Sequence, residues 1–266
     1  MLITVRTMDG KVVRRLSTST GSGLHRSSWD LRWPGASGPA SPVDVTKQSP
    51  WDEVGSGPLA LAGTYTVELH QRVAGEETLL AGPMEFEVRD LNLNPMASDQ
   101  AAKLAFELEV QDLMRRVQGA TREHRLAMDR LARLRAAAAA VAAPEMQNRI
   151  GILENDLRDL WITLGGDQTV SRHNEPVADS IRDRLGRVSW GLRGTTMGPT
   201  DTQRRNVQMA ATDFEVVGPK LARIIDNYIP SLVQELEEMG APFSGGGEHL
   251  VPADDMKMNK KLWRKF

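Results

Sequence analysis

Five histidines are the first candidates for acid–base chemistry or metal binding in this sequence. They are His25, His70, His124, His173 and His249. They fall in different predicted elements, and none has the H-E-x-x-H or H-x-H spacing that brings two imidazoles to one metal ion. His124 falls on the apolar stripe of a predicted helix, where a packed structural histidine is expected. The chain has no cysteine, so we predict no metal site and no cofactor.

Other catalytic signatures are also missing from the sequence. It contains no G-x-S-x-G elbow, no P-loop and no dinucleotide fingerprint. The glycine-rich stretches GSGLHR and SGGGE do not lead into a helix N-terminus, where a phosphate would bind. The acidic residues of the predicted helices alternate with arginines, as on a solvated bundle face, and do not indicate a catalytic pair of carboxylates. We therefore expect a protein that is not an enzyme and has no small-molecule substrate.

The loop GGDQTVSRHNEP, between two predicted helices, is the most site-like part of the helical half. Loops with this many polar groups often carry function. The alternative is that these side chains cap the two helix ends. The residues of this candidate interaction loop are Asp167, Arg172, His173, Asn174 and Glu175.

The C-terminal stretch KKLWRKF interleaves basic and aromatic residues after the Gly-rich linker SGGG. Such a segment suits a membrane surface, where rings lie at headgroup depth and cations meet anionic lipids, or a groove on a membrane-protein partner. The alternative is a terminus without a role. The predicted contact residues are Lys260, Lys261, Leu262, Trp263, Arg264, Lys265 and Phe266.

The stretch GLHRSSWDLRWPG holds two tryptophans four residues apart, a spacing that suggests a ligand or sugar site. Strand alternation places Trp29 and Leu31 on one face, with Asp30 and Arg32 on the other. We therefore expect Trp29 to fill the core of a sandwich. Trp33, next to Pro34, is expected at the rim, where it would be one exposed contact residue.

Charge and hydropathy exclude two further classes of function. The formal net charge of −2 leaves no global basic field for binding a nucleic acid. No run approaches the roughly 18 consecutive apolar residues of a membrane span. The first residues, MLITVRTMDGKVVRRL, predict a strand, a turn and a strand, without the zones of a signal peptide.

Residues 1–92 predict an all-β sandwich of about seven strands. The runs LITVRT, KVVRRLS, GTYTVELHQRV and MEFEVRDL alternate with period two, and MDGK between the first two predicts a hairpin. The proline-rich stretch from Trp33 to Ala62 predicts a loop, because proline cannot join a central ladder.

Residues 95–242 predict a long antiparallel helical bundle or coiled coil. From Phe106 to Val141, apolar residues recur alternately four and three apart, a repeat of about 3.5 residues. The expected helices cover 98–143, 145–164, 176–193 and 200–240. The second and third run back along the first in series, or the four form a compact up-down bundle. We expect bends at Pro219 and Pro230 and a flexible tail over 243–266.

The stretches DGKVVRRL, GLHRSSWDLRWPG, LAGTYTVEL and FEV resemble the immunoglobulin-like (Ig-like) domain of the flagellar hook-capping type. This domain occurs at the C-terminal end of large bacterial exported proteins with sortilin-like propeller (BNR) repeats. NPMASDQAAKLAFELEVQDLM and TDTQRRN resemble the helical extension that follows it. The resemblance implies an Ig-like sandwich and export to the periplasm or cell surface. The propeller is absent, so no activity attributed to it is implied, and we expect a processed piece or a truncated sequence.

Together these features predict a non-enzymatic, membrane-extrinsic structural subunit. Its sandwich, helical arm and tail would brace or tether a larger protein complex, for instance a membrane-embedded photosynthetic one, with lipid headgroups near the tail. The alternative is an accessory carbohydrate- or partner-binding module of an exported hydrolase or adhesin. A third interpretation is a scaffold of a flagellar or other filament.

Overall fold

The chain is a mixed α+β protein in which a β-sheet region precedes a helical region, as the sequence predicts. The computed structural model describes residues 1–36, 43–44, 56–91, 99–167, 169–170, 173 and 175–241. It divides into two compact units. The first comprises Met1–Gln118 and Arg182–Ala210, and the second Gly119–Ile181 and Ala211–Phe266.

The strands of the first unit form a five-stranded and a two-stranded sheet. They are β1 (Leu2–Thr7), β2 (Val12–Ser17), β3 (Arg32–Pro34), β4 (Val43–Asp44), β5 (Ser56–Leu59), β6 (Gly63–Val73) and β7 (Glu76–Val88). The larger sheet has the order β4-β2-β1-β6-β7, and the smaller one pairs β3 with β5. Strands β4 and β5 and the end of β3 therefore lie in the stretch from Trp33 to Ala62, which the sequence predicts as loop. Pro58 is accommodated in β5 because, among the described residues, this strand pairs with β3 and with no other strand.

Two tight turns close the hairpins of the larger sheet. The β1–β2 turn uses Gly10 at φ +84°, as its MDGK sequence predicts. At the β6–β7 turn both Ala74 (φ +52°) and Gly75 (φ +93°) are left-handed. Two consecutive positive φ values match the twist of a two-residue hairpin, so the long β6–β7 hairpin has a fixed register.

The core of the first unit lies around aromatic side chains. Val5 and Val13 of the larger sheet pack with Trp33 of the smaller one, with Tyr65, and with Leu104 from the first helix. Gly57 permits the close approach of β5 to β3, because a Cβ at this position would lie 2.4 Å from the carbonyl oxygen of Pro34.

In the described ranges, five α-helices of ten residues or more and one π-helical turn follow the strands. They are α1 (Gln100–Ala140), α2 (Pro144–Gly165), α3 (Ile181–Arg193), α4 (Asp201–Arg223), the π turn (Ile224–Tyr228) and α5 (Ile229–Glu238). Asp99 caps α1, with its Oδ1 accepting a hydrogen bond from the Ala102 N–H at 2.8 Å. The third helix begins after Ser180, later than predicted, at a residue type favoured as an N-cap.

In the first unit, α3 and α4 pack beside the N-terminal part of α1. A capping box starts α4: the Gln203 N–H donates to Thr200 Oγ1 (3.2 Å), and the Thr200 N–H donates to Gln203 Oε1 (2.8 Å). The Arg204 guanidinium lies 5.3 Å from the centre of the Phe106 ring on α1. The Gln100 side chain donates to the carbonyl of Thr196 at 2.9 Å.

The second unit buries the C-terminal part of the apolar stripe that the sequence predicts on the first helix. Its buried core joins α1, α2, the C-terminal part of α4, the π turn and α5. The fully buried members include Leu131, Leu134, Ile150, Leu157, Leu232 and Leu236. His124 is a packed structural residue, as predicted: it is 8% exposed, its Nε2–H donates to the Leu157 carbonyl at 2.8 Å, and its ring lies 5.1 Å from that of Trp161.

The two prolines of the last helical segment behave differently. Pro219 lies inside α4 without ending it. Pro230 follows the π turn, in which the Ile229 N–H bonds to the Ile224 carbonyl five residues back. Proline lacks an N–H and its ring displaces the carbonyl four residues earlier, so a wider turn accommodates Pro230. No helix in the described ranges is both long enough and apolar enough to cross a membrane.

We predict that Gly57→Ala destabilises the protein by about 2–3 kcal/mol, because the new Cβ would overlap the backbone of β3. Carbonyl oxygens of Trp33 and Pro34 lie 2.7 and 2.4 Å from its position. Denaturant unfolding measures the change. The matched control is Gly119→Ala in α1, where nothing lies within 4 Å and a gain of about 0.5–1 kcal/mol is expected. Equal effects of the two substitutions would contradict the prediction.

We also predict a pH-dependent contribution from Glu68. Its Oε2 accepts from Arg6 Nε (3.0 Å) and lies 3.1 Å from His70 Nε2. These hydrogen bonds, the one from Arg6 first, hold the pKa of the Glu68 carboxyl below its ordinary value. Glu68→Gln should therefore cost about 1 kcal/mol at pH 7. The cost should disappear as the pH falls through the lowered pKa, where the carboxyl is protonated in the folded protein too.

Denaturant unfolding of the wild type and of the Glu68→Gln variant at pH 7, 5 and 3 measures the difference in their free energies of unfolding. Glu87→Gln is the control, because its pair with Arg89 is exposed and contributes little. A cost for Glu68→Gln that stays constant down to pH 3 would show that the charge of Glu68 is irrelevant.

Candidate interaction site

Trp190 on α3 is the described tryptophan whose ring is most open to solvent. It is 81% exposed, whereas Trp33 is 6% exposed. Trp29 and Trp161 are partly buried and pack against other rings. Tryptophan carries the largest apolar area of any side chain and is enriched at the energetic centres of protein interfaces. An indole left in water on a rigid helix is therefore the strongest indication of a contact surface in the described chain.

Helix geometry explains why this ring points outward. Ile181, Leu185, Val188 and Leu192 form the buried stripe of α3. At about 100° per residue, position 190 lies on the opposite side of the helix from position 188. The sequence carries this signal, since the predicted core stripe leaves Trp190 outside it, but the sequence interpretation overlooked the residue.

The residues one turn away leave the indole uncovered. Gly186 and Gly194 lie four residues before and after Trp190, and a Cβ at either one would meet nothing within 4 Å. Arg187 and Arg193, three residues before and after, are exposed. We call the set Gly186, Arg187, Trp190, Arg193 and Gly194 the Trp190 face. It consists of one large exposed ring with two glycines and two exposed arginines one helical turn away.

The structure corrects the predicted position of Trp33. Its side chain is buried in the core with Val5, Val13 and Tyr65, and the Lys11 Nζ lies 4.9 Å from its ring centre. It is therefore not an exposed contact residue. Strand alternation fails because β3 begins only at Arg32, and Leu31 adopts a left-handed φ of +56°. That turn brings both tryptophans to the same core.

Trp29 lies at the edge of that core, as the sequence broadly predicts. Its ring meets Tyr65 edge-on at 5.5 Å and Phe86 at 6.2 Å, and its Nε1–H donates to the Arg32 carbonyl at 3.0 Å. The pair that suggested a ligand site is engaged in packing. Neither ring presents an open face to a sugar.

The interaction loop between α2 and α3 is only partly described. Asp167 Oδ1 accepts from the backbone N–H groups of Thr169 (2.9 Å) and Val170 (3.2 Å), which is the capping role that the alternative interpretation expects. His173 and Glu175 are exposed. Arg172 and Asn174 lie outside the described residues, as do all the predicted tail contacts, Lys260 to Phe266.

Two clusters of charged side chains in the described chain contain a carboxyl group with a lowered pKa. Within the residues that the structure covers, no three His, Asp or Glu side chains come together as metal ligands. The Arg6–Glu68–His70 cluster holds an ionised carboxylate whose pKa is lowered, and such a group is a weak base. Arg149 and Glu235 likewise form a bidentate ion pair on the second unit, which lowers the pKa of Glu235. The first cluster joins β1 to β6, and the second ion pair joins α2 to α5.

Comparisons of the chain with protein-family models, with curated proteins and with solved structures found no match. No fold name, partner or activity is therefore transferred to the chain from another protein. What it does has to be argued from its own residues and geometry.

Proposed function

We propose that the protein is a non-enzymatic structural subunit that binds and braces a larger protein complex. The single observation that carries this proposal is the exposure of Trp190 on a regular helix. Tryptophan is enriched among the residues that dominate the binding free energy of protein interfaces, and a ring exposed on a regular helix is accessible to a partner. Alanine substitution of a tryptophan at the energetic centre of an interface typically weakens the binding free energy by about 2 kcal/mol or more.

The charges around Trp190 favour an acidic partner surface. The exposed charged residues of α3 are Arg182, Asp183, Arg187 and Arg193. With the partly buried Arg184, α3 carries four positive charges and one negative charge, a local charge of +3, although the whole chain carries −2. Arginine is also enriched at interfaces, because its planar guanidinium forms paired hydrogen bonds with carboxylates. The Trp190 face therefore combines an apolar anchor with a positive local charge.

The C-terminal segment supplies a second proposed contact. Its residues Lys260, Lys261, Arg264 and Lys265 interleave with Leu262, Trp263 and Phe266. We propose that this segment binds anionic lipid headgroups or the surface of a membrane-protein complex, where such residue types are favoured. The chain is then a membrane-extrinsic subunit at the periplasmic side or cell surface.

A finer description of the fold supports this scaffolding role. We propose that residues 1–92 form an Ig-like sandwich, since Trp33 of the small sheet packs with Val5 and Val13 of the large one. The Tyr65 hydroxyl donates to the Leu61 carbonyl at 2.7 Å, a bond similar to the tyrosine corner of Ig-like domains. We propose an antiparallel coiled-coil bundle for the helical region, because its buried residues follow the 3.5-residue repeat.

A carbohydrate-binding role for the sandwich has less support. Sugar sites use exposed aromatic faces, whereas Trp29 and Trp33 pack into the core. Trp51 lies outside the described residues. The alternative of an accessory module in an exported hydrolase or adhesin therefore depends on protein contacts, for which the Trp190 face is again the candidate.

We predict that Trp190→Ala weakens binding to the partner complex by about 30-fold and leaves the fold intact, because an exposed side chain leaves no cavity. Purified protein is titrated onto native membranes, and the saturable bound fraction is measured. Raising the salt concentration should weaken wild-type binding, since the proposed partner surface is acidic. Ile152→Ala is the matched control, as Ile152 is 54% exposed on α2. Equal affinities of the two variants would contradict the role of Trp190.

We further predict that removing residues 257–266 abolishes association with the membrane fraction. The reason is that the deletion removes five basic side chains, which would bind anionic lipids. It also removes the three apolar side chains Leu262, Trp263 and Phe266. Flotation of the shortened chain with vesicles that contain anionic lipids measures the effect. A charge-reversed tail, with each Lys and Arg replaced by Glu, should fail in the same way. Unchanged association of the shortened chain would refute the anchoring role of the tail.

A further inference from the structure

Strand β7 lies at one edge of the larger sheet and is paired on one side only. It covers Glu76–Val88 and is the last strand in the order β4-β2-β1-β6-β7. Among the described residues it pairs with β6 and with no other strand. Every residue from 71 to 85 is exposed to solvent. The free side of such a strand carries unpaired N–H and C=O groups, which are a template for another strand.

Residues 84–88 are the regular part of this free side. Their pairing with β6 has no register shift, from Met84 opposite Val67 to Val88 opposite Gly63. Towards the β6–β7 turn the register shifts twice, and Pro83, which lies at the first shift, has no N–H to offer a partner. We call residues 84–88 the β7 edge. It offers a short, regular ladder of hydrogen bonds to a further strand.

Apolar and acidic side chains alternate along the β7 edge, so they lie on opposite faces of the sheet. Phe86 and Val88 pack against the core of the first unit. Met84, on the same face, is 66% exposed. Glu85 and Glu87 are exposed on the other face. A strand placed beside this edge would therefore meet an apolar row on one face and two carboxylates on the other.

The two carboxylates are accessible to a partner. Glu85 has no ion pair among the residues that the structure describes. Glu87 pairs with Arg89 at 2.8 Å, but both side chains are more than half exposed, and such a pair contributes little. A basic side chain of a partner can therefore replace Arg89. The hairpin from residue 71 to 88 holds four glutamates and one arginine, which makes it acidic as a whole.

Charged residues on an edge strand also prevent it from pairing with a second copy of itself. Two β7 edges paired in register would bring Glu85 and Glu87 of one chain beside the glutamates of the other, and like charges opposite each other destabilise a sheet. The same charges favour a strand with basic residues at these positions. A purely protective role does not explain Met84, whose apolar side chain is exposed on the same edge.

We infer that the β7 edge binds an extended segment of a partner protein, in which basic and apolar residues alternate, as an added strand. The backbone of the segment hydrogen-bonds to the free side of β7. Its basic side chains lie beside Glu85 and Glu87, and its apolar side chains continue the row that contains Met84. Exposed sheet edges recognise peptides in this way. The β7 edge differs from the Trp190 face, whose positive charge favours an acidic partner, so the inference goes beyond the proposed function and does not rest on it.

A short synthetic peptide tests the inference on the full chain. The probe is acetyl-Lys-Val-Lys-Val-Lys-Val-Lys-amide with a fluorescent label, and its binding is measured by anisotropy. We expect saturable binding and slower hydrogen exchange of the backbone amides of residues 84–88 in the complex. The same peptide with Glu in place of Lys should bind roughly 10-fold more weakly, because attraction to two carboxylates becomes repulsion. The same peptide with Pro in place of Val keeps its charges but loses ladder donors, and should also bind roughly 10-fold more weakly.

The decisive variant is Glu85→Lys, which reverses one charge of the β7 edge at an exposed position. It should weaken binding of the Lys-Val peptide roughly 5-fold and tighten binding of the Glu-Val peptide by a similar factor. This exchange of preference distinguishes a contact at the edge from a loss of folding, which would weaken both. Glu109→Lys, at an exposed position on α1 in the same unit, changes the net charge equally and should bind both peptides as the wild type does.

Several results would overturn the inference. The Lys-Val peptide does not bind at millimolar concentration, the Glu-Val or Lys-Pro peptide binds as tightly, or Glu85→Lys leaves the preference unchanged. Tighter peptide binding after deletion of residues 257–266 would show that the basic tail of the chain itself occupies the edge. Protection of residues 84–88 that rises with protein concentration in the absence of peptide would show that a second copy does. None of these results bears on the predicted effect of Trp190→Ala, so failure of the β7 edge and failure of the scaffolding role are distinguishable.

Discussion

Burial of the apolar side of α1 is the constraint on which both compact units depend. The helix contributes Leu104 to the core of the first unit and Leu131 and Leu134 to the core of the second. A buried leucine contributes about 2–3 kcal/mol, and an isolated helix would have no partner against which to bury this stripe. The apolar residues of this long repeat therefore contribute to the cores of both units.

The same helix meets different requirements along its length. In the second unit its buried side is a regular seam of leucine and alanine with one histidine, and Nε2 of that histidine has a carbonyl partner. In the first unit the buried positions include Lys103, Glu107 and Gln111 beside Leu104 and Val110. A helix that packs against a sheet on one side and against two helices on another buries more than one stripe. The buried side of α1 in this unit therefore includes polar as well as apolar residues.

The aromatic residues show a comparable division between packing and exposure. The ring centres of three aromatic residues, Trp29, Tyr65 and Phe86, lie about 6 Å apart. Together with Trp33 they belong to the core of the first unit. Trp190 has no such role, because α3 already buries its full aliphatic stripe. Since the protein holds few aromatic residues, 5% of the chain, the exposure of one tryptophan on a rigid helix is informative about binding.

The sequence by itself determined the order of sheet and helices, the long helix, the apolar stripe that is buried in the second unit and the packed role of His124. These follow from local periodicity and chain direction, which depend on residues close in sequence. Only the tertiary structure decided that Trp33 is buried, that Gln111 Oε1 has no donor among the described residues, and that β5 pairs with β3. Each depends on a contact between distant residues or on one backbone angle, the left-handed φ of Leu31. Alternation could not predict that angle, because a single turned residue reverses the face on which every later side chain lies.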